Sequence, residues 1–259
     1  MAKIISICNQ KGGVGKTTTA INLSTYLAMA GQKTLLIDMD PQSNATSGLG
    51  VEKRSVSPNI YNILLEAVPI QEVMLTHQIQ NLFIVPSNIQ LTGAEIEMVG
   101  IPNREYILKE SLSAVKELFN YIVIDCPPSL GLLTINSLTA SDSVLIPLQC
   151  EYYAMEGMGQ LLDTVVRVRE TLNPLLEIEG VVLTMADFRT NLTGEVIKEA
   201  REFFKHKVYS TVIPRAVRLS EAPSFGMPMA LYDKSSVGAK SYSQLVQELL
   251  GEPPVTKTL

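Results

Sequence analysis

Seven short apolar runs punctuate the chain: Ile4 to Cys8, Thr34 to Ile37, Leu82 to Val85, Tyr121 to Ile124, Val144 to Ile146, Val181 to Leu183 and Thr211 to Ile213. They are rich in Val, Ile and Leu and do not alternate with polar residues, the pattern of strands buried on both faces. Between most of them lie stretches with apolar residues at helical spacing, such as Ala20, Leu23, Leu27 and Ala30, or Val165, Val168 and Leu172. Each stretch is long enough to cross over a sheet. Repetition of strand, helix and strand predicts an α/β fold, a mostly parallel twisted sheet with helices on both faces. No Pro/Gly/Ser-rich linker and no fixed-period repeat divides the chain, so one domain is expected over residues 1–250. Residues 251–259 contain Pro253 and Pro254 and no apolar stripe, and are expected to form a short disordered tail instead of a membrane-binding amphipathic helix.

A chain of 259 residues, 46% of them hydrophobic, can bury a large core, which excludes disorder. Cys8, Cys126 and Cys150 form no Cys-x-x-Cys pair, and so odd and sparse a set fits reduced thiols better than a disulfide framework, a zinc site or an iron-sulfur cluster. No stretch approaches the roughly 20 apolar residues of a membrane span, and a soluble cytoplasmic protein is expected. The net charge of -5 argues at first against a nucleic-acid partner.

Chemistry concentrates after the first run. Asn9-Gln10-Lys11-Gly12-Gly13-Val14-Gly15-Lys16-Thr17-Thr18 leads directly into a helical pattern. Glycines allow a turn whose N–H groups point inward, and the helix start adds partial positive charge, so phosphate is favoured there. Lys16 is placed to reach the terminal phosphates and Thr17 to coordinate Mg²⁺. The usual Gly-x-x-x-x-Gly-Lys pattern would put its first glycine at position 10, where this chain has Gln10. A second lysine, Lys11, stands out instead. Two further runs end in acids: Leu35-Leu36-Ile37 in Asp38-Met39-Asp40, and Tyr121 to Ile124 in Asp125. Ligands in open α/β folds bind at such carboxyl ends, and an acid there can hold metal-bound water.

With these residues the chain resembles the deviant Walker A ATPases, P-loop proteins of the MinD/ParA superfamily, and most closely the ParA/Soj chromosome-partitioning group. The resemblance rests on Lys11 to Thr17, Asp38-Met39-Asp40-Pro41-Gln42, Asn44 to Gly50, Asp125-Cys126-Pro127-Pro128-Ser129, Arg189-Thr190-Asn191-Leu192, and Ile213-Pro214-Arg215 through Ser224. It implies a single P-loop NTPase domain that binds ATP and Mg²⁺, dimerises face to face with ATP, and separates on hydrolysis. By the same resemblance Lys11 would cross to the partner's nucleotide, Lys16 would act in cis, and Thr17 would bind Mg²⁺. Thr18 would contact a phosphate and Asp40 would orient the attacking water. Asp38 and Asp125 would support Mg²⁺ through its waters, and Gly12 would sit where the dimer leaves no room for a side chain. Gly12, Gly13, Val14 and Gly15 would line the phosphates, and Pro214 would contact the base. The family usually carries Asn after Ile-Pro-Arg, where this chain has Ala216, so no side-chain contact is expected there.

The family resemblance also changes the meaning of the charge. Arg189 to Arg218 holds seven basic and three acidic residues, a local +4 that leaves -9 for the rest of the chain. Family members bind double-stranded DNA without sequence preference through arginines in two of the quoted blocks, which maps here to Arg189 and Arg218. The partner implied is a ParB/Spo0J-type centromere-binding protein, with nucleoid association in the ATP state. Chromosome and plasmid partition both fall within the family, as does regulation of replication initiation. The membrane-binding MinD group needs a C-terminal amphipathic helix, where this chain has Gly251-Glu252-Pro253-Pro254, so no membrane partner is expected.

Overall fold

The computed structural model describes residues 1–252 except 153 and 156. Eight strands form one sheet: β1 (Lys3–Ile7), β2 (Thr34–Asp38), β3 (Leu75–Thr76), β4 (Leu82–Val85), β5 (Tyr121–Asp125), β6 (Ser143–Gln149), β7 (Glu177–Ala186) and β8 (Val208–Pro214). Their order is β3-β4-β2-β5-β1-β6-β7-β8, parallel throughout except for β3 against β4. All seven apolar runs are strands. The eighth, β3, has two residues, both exposed, and so left no apolar run to read.

The lack of alternation has the predicted cause. Leu35, Ile37, Ile122 and Ile124 pack into a core on one face, whereas Ile5, Ile7, Leu36 and Val123 pack into another on the opposite face. Helix α1 (Lys16–Met29) covers the second face and buries Ala20, Leu23 and Leu27; Ala30 falls at its exposed C-cap. Its Thr19, Asn22, Ser24 and Thr25 are buried as well, and the helix Val237–Leu249 packs against it. The Tyr242 and Thr19 hydroxyls meet there at 3.0 Å. In the helix Met158–Thr171, Val165 and Val168 are buried as their spacing predicts. The expected tail lies outside the described residues beyond Glu252.

Parallel register brings the ends of the strands to one edge. Ile7 pairs with Asp125, and Asp38 pairs with Asp125 from the other side. The chain leaves β1 toward β2 on one side, and β6 lies on the other, so the crevice for a ligand opens at the carboxyl end of β1.

Candidate active site

The loop after β1 is braced at both flanks. Asn9 accepts from the Lys11 N–H at 3.0 Å and donates to the Pro147 carbonyl at 2.7 Å, tying the loop to β6. The Thr184 hydroxyl donates to the Val14 carbonyl at 2.8 Å, tying it to β7. Gly13 and Gly15 adopt φ of 76° and 89°, a backbone that side chains disfavour, and this turns the loop into the start of α1. Lys16 is buried, and its ammonium donates to the Lys11 carbonyl at 3.1 Å. Burial lowers its pKa, while the nearby Asp125 carboxylate pulls the other way. Lys11 is half-exposed, its ammonium 3.5 Å from the Glu151 carboxylate.

The three acids differ in how they are satisfied. Asp38 accepts from the Asp40 N–H at 3.1 Å and, at its other oxygen, from the Thr46 N–H at 2.8 Å and hydroxyl at 2.6 Å. Asp40 accepts from the Gln42 N–H at 2.8 Å. Among the described residues both oxygens of Asp125 are buried without a hydrogen-bond partner; the Thr17 hydroxyl is near enough to lower its pKa, short of good hydrogen-bond geometry. A buried carboxylate with no donor is costly unless a cation or its water completes it, and this is what a Mg²⁺-nucleotide site beside Thr17 supplies. Residues and ion therefore fit.

Burial pushes Asp38 up to about 6 despite its hydrogen bonds, and burial together with the charge of Asp38 pushes Asp125 well above the usual carboxylate range. Both folded values exceed the unfolded ones, so the folded chain keeps protons that the unfolded chain has released. Stability from these groups is highest below the ordinary carboxylate value and falls as pH rises through about 6. Calorimetry of the nucleotide-free protein should show a smaller loss of Tm between about pH 4 and 6 in Asp38→Asn than in the parent. Identical pH profiles would remove this account.

A cavity of about 530 Å³ adjoins the loop, lined among others by Thr18, Thr184, Met185, Pro214, Ala216 and Tyr242. A second hollow of about 320 Å³ is lined by Gly12, Gly13, Lys16, Asp40 and Pro128. Gly15, Thr17, Thr18, Asn44 and Met185 line both, so the two form a crevice with a phosphate side and a base side. Thr184, Met185 and Tyr242 carried no sequence signal. Met185 has φ of 52°, unusual for a residue with a side chain, and such strain gathers at ligand sites.

The matching family model, described as an AAA domain, covers residues 2–178. The chain is 58% identical over 249 residues to the sporulation initiation inhibitor protein Soj of Bacillus subtilis, across 96% of this chain and 98% of that one. It is 53% identical over 250 residues to the chromosome partitioning protein ParA of Myxococcus xanthus, across 96% and 88%. Among solved structures it is similar to cobyrinic acid a,c-diamide synthase from Mycobacterium smegmatis with bound ADP and magnesium, at a TM-score of 0.85 and 34% identity over 96% of this chain and 94% of that one. The chain belongs to the ParA/Soj family. It is a partitioning ATPase that uses ATP and Mg²⁺.

For a ParA/Soj chain the arginines after β7 and β8 are of particular interest. Pro214 pairs with Ala186, and the Arg215 N–H donates to the Ala186 carbonyl at 2.9 Å, so Arg189 and Arg218 follow neighbouring strand ends. Arg189 is 88% exposed, yet its guanidinium forks onto Asp187 at 2.8 and 2.6 Å. Those contacts hold the Asp187 carboxyl down at about 2. The Arg218 guanidinium lies 5.8 Å from the centre of the Tyr232 ring, 3.4 Å from Glu221 and 3.9 Å from Asp233. Lys198, within the same basic window, pairs with Glu202 on the solvated face of the helix Asn191–Phe204. Cys8 and Cys126 are buried at neighbouring strand ends beneath the loop, and all three cysteines are free thiols. Among the described residues no helix is long and apolar enough to cross a membrane.

Proposed function

We propose that this ParA/Soj ATPase is a dimerisation switch that binds DNA non-specifically in its ATP state and is discharged by a ParB/Spo0J-type partner during chromosome or plasmid partition. The observation that carries this reading is the division of labour between two loop lysines. Lys16 is buried and committed to its own loop, whereas Lys11 is half-exposed at the rim and, among the described residues, held by one solvent-screened ion pair with Glu151. A cation held that weakly can exchange Glu151 for the phosphates of a nucleotide in a second subunit.

In this scheme the backbone of Gly12, Gly13, Val14 and Gly15 cradles phosphate, Lys16 neutralises it in cis, and Lys11 adds the charge that an arginine finger supplies elsewhere. Thr18 contacts a phosphate and Pro214 the base. Thr17 would hold Mg²⁺ through its hydroxyl, and Asp38 and Asp125 are the acids that would hold it through water. The ion supplies charge neutralisation at the phosphate oxygens. Asp40 accepts from and orients the attacking water. The deciding experiment is ATP turnover measured alone, with DNA, and with DNA plus the product of an adjacent ParB-like gene. Stimulation that needs both supports partition; stimulation by neither leaves a nucleotide-binding regulator, as in control of replication initiation.

Arg189 and Arg218 are the proposed contacts to the DNA backbone, and nucleoid association follows from them. Their carboxylate partners compete with phosphate for the same guanidinium groups. Asp187→Asn is expected to tighten binding of the ATP-bound protein to random-sequence duplex, and Arg189→Ala to weaken it and flatten the dependence of log K on log salt by about one per subunit. Fluorescence anisotropy across a salt series reads both. A salt slope unchanged in Arg189→Ala would exclude that residue from the contact.

A further inference from the structure

The loop that carries Asp40 and the helix that the chain enters after the loop beyond Asp125 are bound to one common segment that lines neither hollow. At one end of it, Ser87 is fully buried. Its N–H donates to the Thr46 hydroxyl at 2.8 Å, and that hydroxyl donates onward to Asp38 at 2.6 Å. The Ser87 hydroxyl donates to the Asp40 carbonyl at 2.9 Å. At the other end, Glu95 lies on the helix Leu91–Glu97 and accepts from the Leu133 N–H at 3.2 Å.

Leu133 is the second residue of the helix Leu132–Ala140, which the chain enters directly from the loop after Asp125. The first N–H groups of a helix lack partners within it, and the N-cap here is Gly131, which has no side chain to offer. Glu95 supplies the missing acceptor from a distant element, with a charge that suits the helix start. A Cβ on Gly131 would overlap the Glu95 carboxylate, although the Gly131 φ of -84° is open to any residue. Any side chain at 131 would therefore push the Glu95 carboxylate off the Leu133 N–H, whereas the backbone there places no demand for glycine. The segment between the two contacts is anchored by the fully buried Leu91 and Ala94, and its helix is held further on by the fully buried Met98 and by the Tyr61 hydroxyl donating to Glu97 at 2.8 Å.

We infer that Ser87 and Glu95 are positioning residues for ATP hydrolysis: the two ends of a strap that sets where Asp40 stands relative to Asp125. The inference rests on the proposed roles of those two acids. Because the strap lines neither hollow, it governs the chemical step and leaves nucleotide affinity alone. Releasing either end frees the same geometry, so losing both ends costs little more than losing one.

The test compares single-turnover hydrolysis with binding of a fluorescent ATP analogue in the full-length chain. Glu95→Ala and Ser87→Ala should each lower the hydrolysis rate about tenfold with affinity held within about twofold, as expected when one charged or buried hydrogen bond is lost from the reacting geometry. The double variant should be no more than about twice as slow as either single one. Glu95→Gln, which keeps an acceptor for the Leu133 N–H, should recover most of the rate, and Glu95→Asp, one methylene shorter, should not. An unchanged rate in Glu95→Ala, a parallel loss of rate and affinity, or multiplicative losses in the double variant each overturn the inference. If Glu95→Ala melts before it can be assayed, the contrast between Gln and Asp at 95 decides. Asp40→Ala is the control: if it hydrolyses ATP normally, the underlying assignment fails, whereas its loss of activity beside a fully active Glu95→Ala condemns the strap alone.

Discussion

Lys16→Ala is expected to reduce ATP turnover by about 10³ or more, the scale for removing a preorganised charge from phosphoryl transfer. The side chain is buried with its ammonium against the Lys11 carbonyl, between the phosphate loop and the orphaned carboxylate of Asp125. Burial lowers its pKa and Asp125 is the largest influence holding it up, so the ammonium already has part of its counter-charge before nucleotide arrives. Phosphate completes that balance. Alanine removes the cation and leaves Asp38 and Asp125 facing each other without it, so nucleotide affinity should fall along with the rate. Lys16→Arg should fail as well, because a planar guanidinium does not fit a site shaped around a buried ammonium. Turnover by phosphate release and binding of a fluorescent ATP analogue measure the two effects. Retention of even a tenth of the parent rate in Lys16→Ala would deny this lysine its central place.

The strands and the phosphate loop were legible because both depend on local sequence. A parallel sheet covered on two faces makes each strand an unbroken apolar run, and that alone located β1, β2 and β4 to β8. β3 escaped because two exposed residues bury nothing. Lys11, Lys16, Thr17 and Asp38, Asp40 and Asp125 could be read from position at strand ends. Thr184 and Tyr242, by contrast, meet the loop and α1 from 170 and 223 residues away, so no spacing announces them. The same holds for Glu95, which looks like an ordinary exposed helix carboxylate until Gly131 is laid against it. The basic window was visible as a charge count, but the carboxylates covering it were not. Asp187 and Glu221 are close in sequence to Arg189 and Arg218, and only the fold shows that their side chains close onto them.

Gly12→Val is expected to leave the monomer intact and abolish ATP-dependent dimerisation. Gly12 is exposed, does not share the positive φ of Gly13 and Gly15, and a Cβ added to it meets no atom of its own chain within 4 Å. An exposed substitution that strains nothing typically changes stability by less than about 0.5 kcal/mol, so the Tm should stay within about two degrees of the parent. The backbone N–H that position 12 offers to phosphate is kept in valine, so ATP affinity should fall far less than in the variants at 13 and 15. The cost of the side chain then falls only where a second subunit presses against the loop. Size-exclusion chromatography with ATP and Mg²⁺ should show monomer, retention on DNA should be lost, and partner-stimulated turnover should drop to the basal level. Gly13→Val and Gly15→Val provide the contrast. At φ of 76° and 89° they place a branched side chain in a left-handed backbone, costing roughly 1–2 kcal/mol each and distorting the phosphate cradle. Those two should lose nucleotide binding itself. A Gly12→Val protein that still dimerises with ATP would show that the space beside this loop faces solvent in the active state, and Lys11 would then have no partner nucleotide to reach.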